Sequence, residues 1–170
     1  NDTTVRNILK NNENIIKVSN NKYDLLCGLF ECPEKYEEFI LRVKIILLGG
    51  AQSIQSIDEK LNQLRVDKIE RCSLESILGS SKMFKSKDGI YQNNKINSEL
   101  KNYDKFMQKV IKAGMKEKEI RFSLKWNSCK KIFLKYLPMD PRVIIESGNG
   151  PESRTNKSTE LDSILDEFDF

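Results

Sequence analysis

The sequence predicts an all-α fold, a helical bundle of about six or seven helices followed by a flexible C-terminal tail. Three observations predict it. Apolar residues recur at spacings of three and four along most of the chain, and no segment sustains the period-two alternation of a half-buried strand. From Ser147 onward the composition shifts to Gly, Asn, Pro, Ser, Thr and charge, which buries too little apolar surface to offset the entropy of ordering. The expected layout is a helical body over residues 1–146, a flexible linker over 147–157 and an acidic amphipathic motif over 158–170. With 38% hydrophobic and 32% charged residues the body has the composition of a globular domain with a very polar surface, not that of a disordered chain.

Asp2, Thr3 and Thr4 offer N-caps for a first helix that carries Val5, Ile8, Leu9 and Ile16 on its apolar side and ends near Lys17. Tyr23, Leu26, Leu29 and Phe30 predict a second, short helix. It starts near Asn20 or Asn21 and stops before Pro33, whose ring disfavours helix at the preceding residue. Pro33 suits the first turn of a third helix, in which Tyr36, Phe39, Ile40, Val43 and Leu47 share a face. Glu34, Glu37 and Glu38 sit at its positive end, and Gly49 and Gly50 stop it. Ile54, Ile57, Leu61 and Leu64 give a fourth helix the seam of a coiled coil. A fifth starts near Ser73 and buries Leu74, Ile77 and Leu78, after which Ser80 to Asn94 reads as a loop around Asp88-Gly89. Ile96, Leu100, Tyr103, Met107 and Val110 form the seam of a sixth, which Gly114 ends. A seventh runs toward Leu137 with Phe122, Trp126, Cys129, Phe133 and Tyr136 on one side, and Pro138 and Pro141 prevent its continuation. Val143, Ile144 and Ile145 read as a short extended piece.

Several chemistries fall away. With no histidine in the chain, Ser-His-Asp and Cys-His catalysis and imidazole-based metal sites are impossible. Gly49-Gly50-Ala51-Gln52 lacks the lysine of a phosphate-binding loop and follows a helix instead of opening one. Glu37 with Glu38, and Asp166 with Glu167, are sequence neighbours and so point to different sides of a helix, a poor arrangement for paired acid and base work. Nothing around Lys68, Arg71 or Lys82 provides the desolvation that makes a nucleophilic lysine. Cys27, Cys32, Cys72 and Cys129 form no CxxC pair; they read as buried reduced thiols and point to an intracellular, cytoplasmic or nuclear setting. The longest apolar stretch, Ile45 to Leu48, is far too short for a membrane span. The expectation is a protein with no catalytic site, no metal and no cofactor.

Two segments carry the binding expectation. Between Lys101 and Lys135 eleven lysines and arginines stand against three acids, a net of +8, and Lys101, Lys105, Lys109, Lys112 and Lys116 recur opposite the apolar seam as one stripe. The stripe suits an acidic protein, a nucleic-acid backbone or an anionic membrane; lysine outnumbers arginine there, and arginine is the residue of bidentate base and phosphate recognition, so an acidic protein is the expected partner. At the C-terminus Leu161, Ile164, Leu165 and Phe168 fall at i, i+3, i+4 and i+7 among acids, the pattern of a helix that folds into a partner's groove.

Lys22-Tyr-Asp-Leu-Leu-Cys-Gly-Leu-Phe-Glu-Cys-Pro33, then Tyr36-Glu-Glu-Phe-Ile-Leu-Arg-Val43, then the seam from Ile54 to Leu64 follow one another along the chain. Through these stretches residues 5 to 85 resemble part of the formin homology-2 domain. That family's Gly-Asn signature and tryptophan-bearing lasso are absent, so no actin-contacting residue carries over. The expected function is a non-enzymatic helical adaptor, scaffold or subunit of a larger assembly. The resemblance implies an actin-associated cytoskeletal module as the alternative, and the lysine stripe a nucleic-acid-binding protein as a second.

Overall fold

Ile15-Ile16-Lys17-Val18 is rich in β-branched side chains, which lose rotamer freedom in a helix and suit a pleated strand. It is here that the all-helical expectation first fails. In a computed structural model, which describes residues 2–12, 14–19, 22–127 and 130–144, helix dominates, but strand makes up 14% of the described residues and forms two antiparallel sheets. The fold class is therefore mixed α and β. The chain divides into two compact units, Asn1–Lys95 and the residues from Ile96 on.

In the first unit the opening helix, α1 (Asp2–Asn11), ends well before Lys17. Ile16, expected on that helix, lies instead in β1 (Ile15–Ser19), fully buried. β1 pairs antiparallel with β2 (Lys22–Leu25), Ile15 opposite Leu25 and Lys17 opposite Tyr23, with a bulge between Lys17 and Ser19. The predicted second helix shrinks to one turn, α2 (Leu26–Leu29), because Lys22 to Leu25 are taken up in that ladder. α3 (Pro33–Ile46) is as expected, with Pro33 at its first turn and Phe39, Ile40 and Val43 buried; a 3₁₀ turn over Leu47–Gly49 and Gly50 at φ 117° close it. α4 (Ile54–Gln63) buries Ile57 and Leu61, and its N-cap Ser53 accepts a hydrogen bond from the Ser56 N–H at 3.2 Å. α5 (Arg71–Ser80) buries Leu74, Ile77 and Leu78. It packs on β1, where the Lys17 N–H donates to Ser76 Oγ at 2.8 Å. These side chains, with Ile46 and Phe84, make one core.

The predicted loop from Ser80 to Asn94 is a β-hairpin. β4 (Phe84–Lys87) and β5 (Ile90–Asn93) pair through Asp88 and Gly89, both at positive φ (52° and 76°), the two-residue turn whose twist matches that of the strands. β3 (Gln52–Ser53) joins β5 on its other edge. Only Phe84 of β4 is buried, and although β5 alternates between exposed and half-buried, its Ile-Tyr-Gln-Asn does not alternate apolar with polar residues; the Asp-Gly pair was the signal.

The second unit holds α6 (Ser98–Lys112), α7 (Glu117–Trp126), α8 (Lys131–Tyr136) and α9 (Pro141–Ile144), with a 3₁₀ turn over Leu137–Met139. The predicted seventh helix is thus two helices. Their faces do not continue one another: Phe133 and Tyr136 are buried, whereas Phe122 and Trp126 are exposed. Val143 and Ile144 are helical, not extended, because Pro141 presets the φ of a first helical turn, and Ile145 lies outside the described residues. Tyr103 meets Phe133 and Tyr136 edge-on, with ring centroids 5.4 and 5.2 Å apart. The cysteines also depart from expectation. Cys27 is exposed and Cys32 and Cys72 are half-buried, all three as free thiols, while Cys129 lies outside the described residues.

Candidate functional site

The lysine face rests on α6. Asn97 caps the helix, its side-chain oxygen accepting from the Leu100 N–H at 2.8 Å, and Leu100, Tyr103, Phe106, Met107 and Val110 are all buried. Because that face is fixed in the core, Lys101, Lys105, Lys109 and Lys112 are fixed outward, and all four are exposed. Lys116 does not continue the file. Gly114 takes a left-handed φ of 68° and ends the helix, and Lys116 becomes the N-cap of α7, its N–H donating to the Glu119 carboxylate at 2.8 Å. Lys116 is exposed beside the turn.

On α7 the buried residues are Ile120 and Leu124. Phe122 and Trp126 are offset from them by two residues, about half a turn, and so face away from the core. They are 65% and 79% exposed, and touch edge-to-face with ring centroids 6.2 Å apart. Lys118 and Lys125, both exposed, flank them on the same side of the helix. Grouping these aromatics on one side with Phe133 and Tyr136 missed this patch; the phase of Ile120 and Leu124 was the available signal.

The most polar buried cluster lies between α6 and α9. Asp140 is fully buried and accepts from the Tyr103 hydroxyl at 3.0 Å; Arg142 donates to both its carboxylate oxygens, Nε to Oδ1 at 3.0 Å and Nη2 to Oδ2 at 2.8 Å. The remaining guanidinium nitrogen of Arg142 reaches Asp104 Oδ1 at 2.7 Å. Burial, then the charge and hydrogen bond of Asp140, push the Tyr103 hydroxyl far above its ordinary pKa. Burial works against the Arg142 charge, but the bonds and charges of Asp140 and Asp104 outweigh it and hold the guanidinium protonated. With Arg142 shared between the two carboxylates, the cluster is a staple between helices. Nearby the Tyr136 hydroxyl donates to Glu99.

In the first unit a groove of about 300 Å³ has an apolar floor that includes Leu29, Phe30, Phe39, Val66 and Ile69. Charges rim it in pairs: Lys35 with Glu31, and Arg42 with Glu38 at 2.6 Å. The hydrogen bond and charge of Lys35 hold the Glu31 carboxyl below its usual range. Arg65 on the same rim has a left-handed φ of 55°. None of the site residues predicted from sequence lines this groove.

Among the described residues no group of three or more Cys, Asp or Glu side chains is placed to hold a metal ion, and no helix is long and apolar enough to cross a membrane. Leu161, Ile164, Leu165 and Phe168 of the C-terminal motif lie outside the described residues. Compared with protein-family models, characterised proteins and solved structures, the chain matches none.

Proposed function

We propose that this protein is a non-enzymatic adaptor, or a subunit of a larger assembly, that docks an acidic protein partner on the lysine face of α6, with the acidic C-terminal motif of residues 158–170 as a second contact. One observation supports the reading above the others: Lys101, Lys105, Lys109 and Lys112 stand exposed on one side of a helix whose opposite side is core. Four like charges in a file raise the local potential and attract an extended anion, while each separate exposed lysine contributes little to folding. Compact ammonium groups suit carboxylates presented at varied geometry better than the planar recognition of a base edge. The intracellular setting read from the cysteines is part of the same proposal.

The test compares wild-type protein with the triple variant Lys105→Glu/Lys109→Glu/Lys112→Glu, using poly-L-glutamate as the acidic probe and duplex DNA as the rival. Wild type binds polyglutamate, and the variant loses that binding while keeping its melting temperature. Equal binding by both proteins overturns the reading. A tighter affinity for the duplex, falling steeply with salt through counterion release, replaces it with the nucleic-acid alternative. The actin-associated alternative rests on the resemblance of residues 5 to 85 and is tested by co-sedimentation with filaments.

A further inference from the structure

The α6 face leaves a second surface of the same unit unexplained. Large apolar side chains scattered over a surface need no account, but two aromatic rings in contact, 65% and 79% exposed, on a helix whose other side is buried, form a ridge that water solvates poorly. The ridge is set in positive charge. Lys118 and Lys125 flank it, and α8, which packs against α7, exposes Lys131 and Lys135. The acids of α7 offset this only in part: Glu117 pairs with Arg121 at 2.6 Å, Glu119 accepts from the Lys116 N–H and keeps its charge, and residues 116–126 retain four cations against two acids. Over residues 96–144 twelve lysines and arginines face five acids, a net of +7.

We infer that the Phe122–Trp126 ridge of α7, with Lys118 and Lys125, is a docking surface for an anionic lipid bilayer. Charge complementarity selects an anionic surface, and the ring geometry selects among anionic partners. Single-stranded nucleic acid needs an open ring face for each base it stacks, whereas here one ring's edge lies on the other's face, at an interplanar angle of 61°. A headgroup region makes no such demand. It admits amphipathic rings to a depth of about 5–10 Å while lysines remain at phosphate level. Ile120 and Leu124 hold the helix to the body, so only the ridge enters and the attachment is peripheral.

The chain contains one tryptophan, Trp126, so intrinsic fluorescence reads this ridge alone. The experiment titrates the full chain with vesicles of phosphatidylcholine, with vesicles of an equimolar mixture of phosphatidylcholine and phosphatidylserine, and with single-stranded oligothymidylate, following emission and co-sedimentation. The free protein emits as a hydrated indole. The mixed vesicles shift emission to the blue and pellet the protein; phosphatidylcholine alone does so weakly. A lysine at an anionic surface is worth on the order of fivefold in partitioning, so Lys118→Glu/Lys125→Glu, with both rings intact, lowers it by more than about tenfold. Phe122→Ser lowers it as well, and the α6 triple variant retains most of it. No blue shift on either vesicle, equal shifts on both, a shift on the oligonucleotide in place of vesicles, or as great a loss from the α6 variant as from the α7 variant each overturns the proposal. Because the α6 and α7 variants are read separately, failure here is distinguishable from failure of the acidic-partner reading.

Discussion

At the scale of single residues, the second unit depends on Asp140. Its carboxylate is fully buried and accepts from both Tyr103 and Arg142, so removing it leaves the buried Tyr103 hydroxyl without its acceptor and Arg142 with Asp104 alone. Asp140→Ala is expected to destabilise the protein by about 1–3 kcal/mol, measured by denaturant unfolding. Tyr103 supplies a pH signature. Its folded pKa is raised far above the ordinary value of 10.0, so the unfolded chain loses this proton first. Its contribution is therefore full below about pH 10 and is lost as pH rises toward the folded pKa. Tyr103→Phe has no proton to lose there. The stability gap between wild type and the variant narrows above pH 10, and melting temperatures from pH 8 to 11 check it; a gap that widens contradicts the assignment. Nothing in the sequence announced this cluster, since Asp104 and Arg142 are 38 residues apart and meet only when α6 and α9 pack.

At the scale of elements, the turn of the β4–β5 hairpin and the cap of α6 are the points where one residue decides a whole segment. Gly89 at φ 76° occupies a conformation that costs an L-residue about 1–2 kcal/mol, so Gly89→Ala should destabilise by that amount while leaving the helical signal of circular dichroism unchanged. Asn97→Ala removes the acceptor for the Leu100 N–H and should cost about 1 kcal/mol in chemical denaturation, whereas Asn97→Asp should restore nearly all of it. Elements with a strong internal period, α4 and α6, were legible because burial falls on one face of each. β1, β2, β4 and β5 were not. Strands of four or five residues contain too few alternations to stand out, and their pairing is decided by neighbours along the ladder.

At the scale of the whole molecule, charge is segregated along the chain. The net +7 of residues 96–144 sits within a total of +4, and residues 145–170 carry seven acids against two bases. Deleting residues 148–170 raises the formal net charge from +4 to +8. Among the described residues the cores end at Val143, so this truncation is expected to leave the melting temperature and helical content nearly unchanged, and to strengthen binding to polyglutamate and to anionic vesicles. A large fall in melting temperature would show the segment to be part of the fold. Tighter polyanion binding without such a fall would identify it as a competing intramolecular anion.

The sequence by itself determined what depends on residue type and short-range period: the absence of histidine chemistry, the helices α3 to α6, their buried faces, the stop at Gly114 and the outward file of lysines on α6. Only the tertiary structure decided what depends on partners distant in the chain. Ile16 became a strand residue because β2 and α5 were there to cover it. Phe122 and Trp126 left the predicted apolar face because helix ends at Trp126, and the phase of Phe133 and Tyr136 does not carry back across the break. A helical period specifies a face only while the helix is continuous, and where it breaks, packing alone chooses which aromatic is core and which meets water.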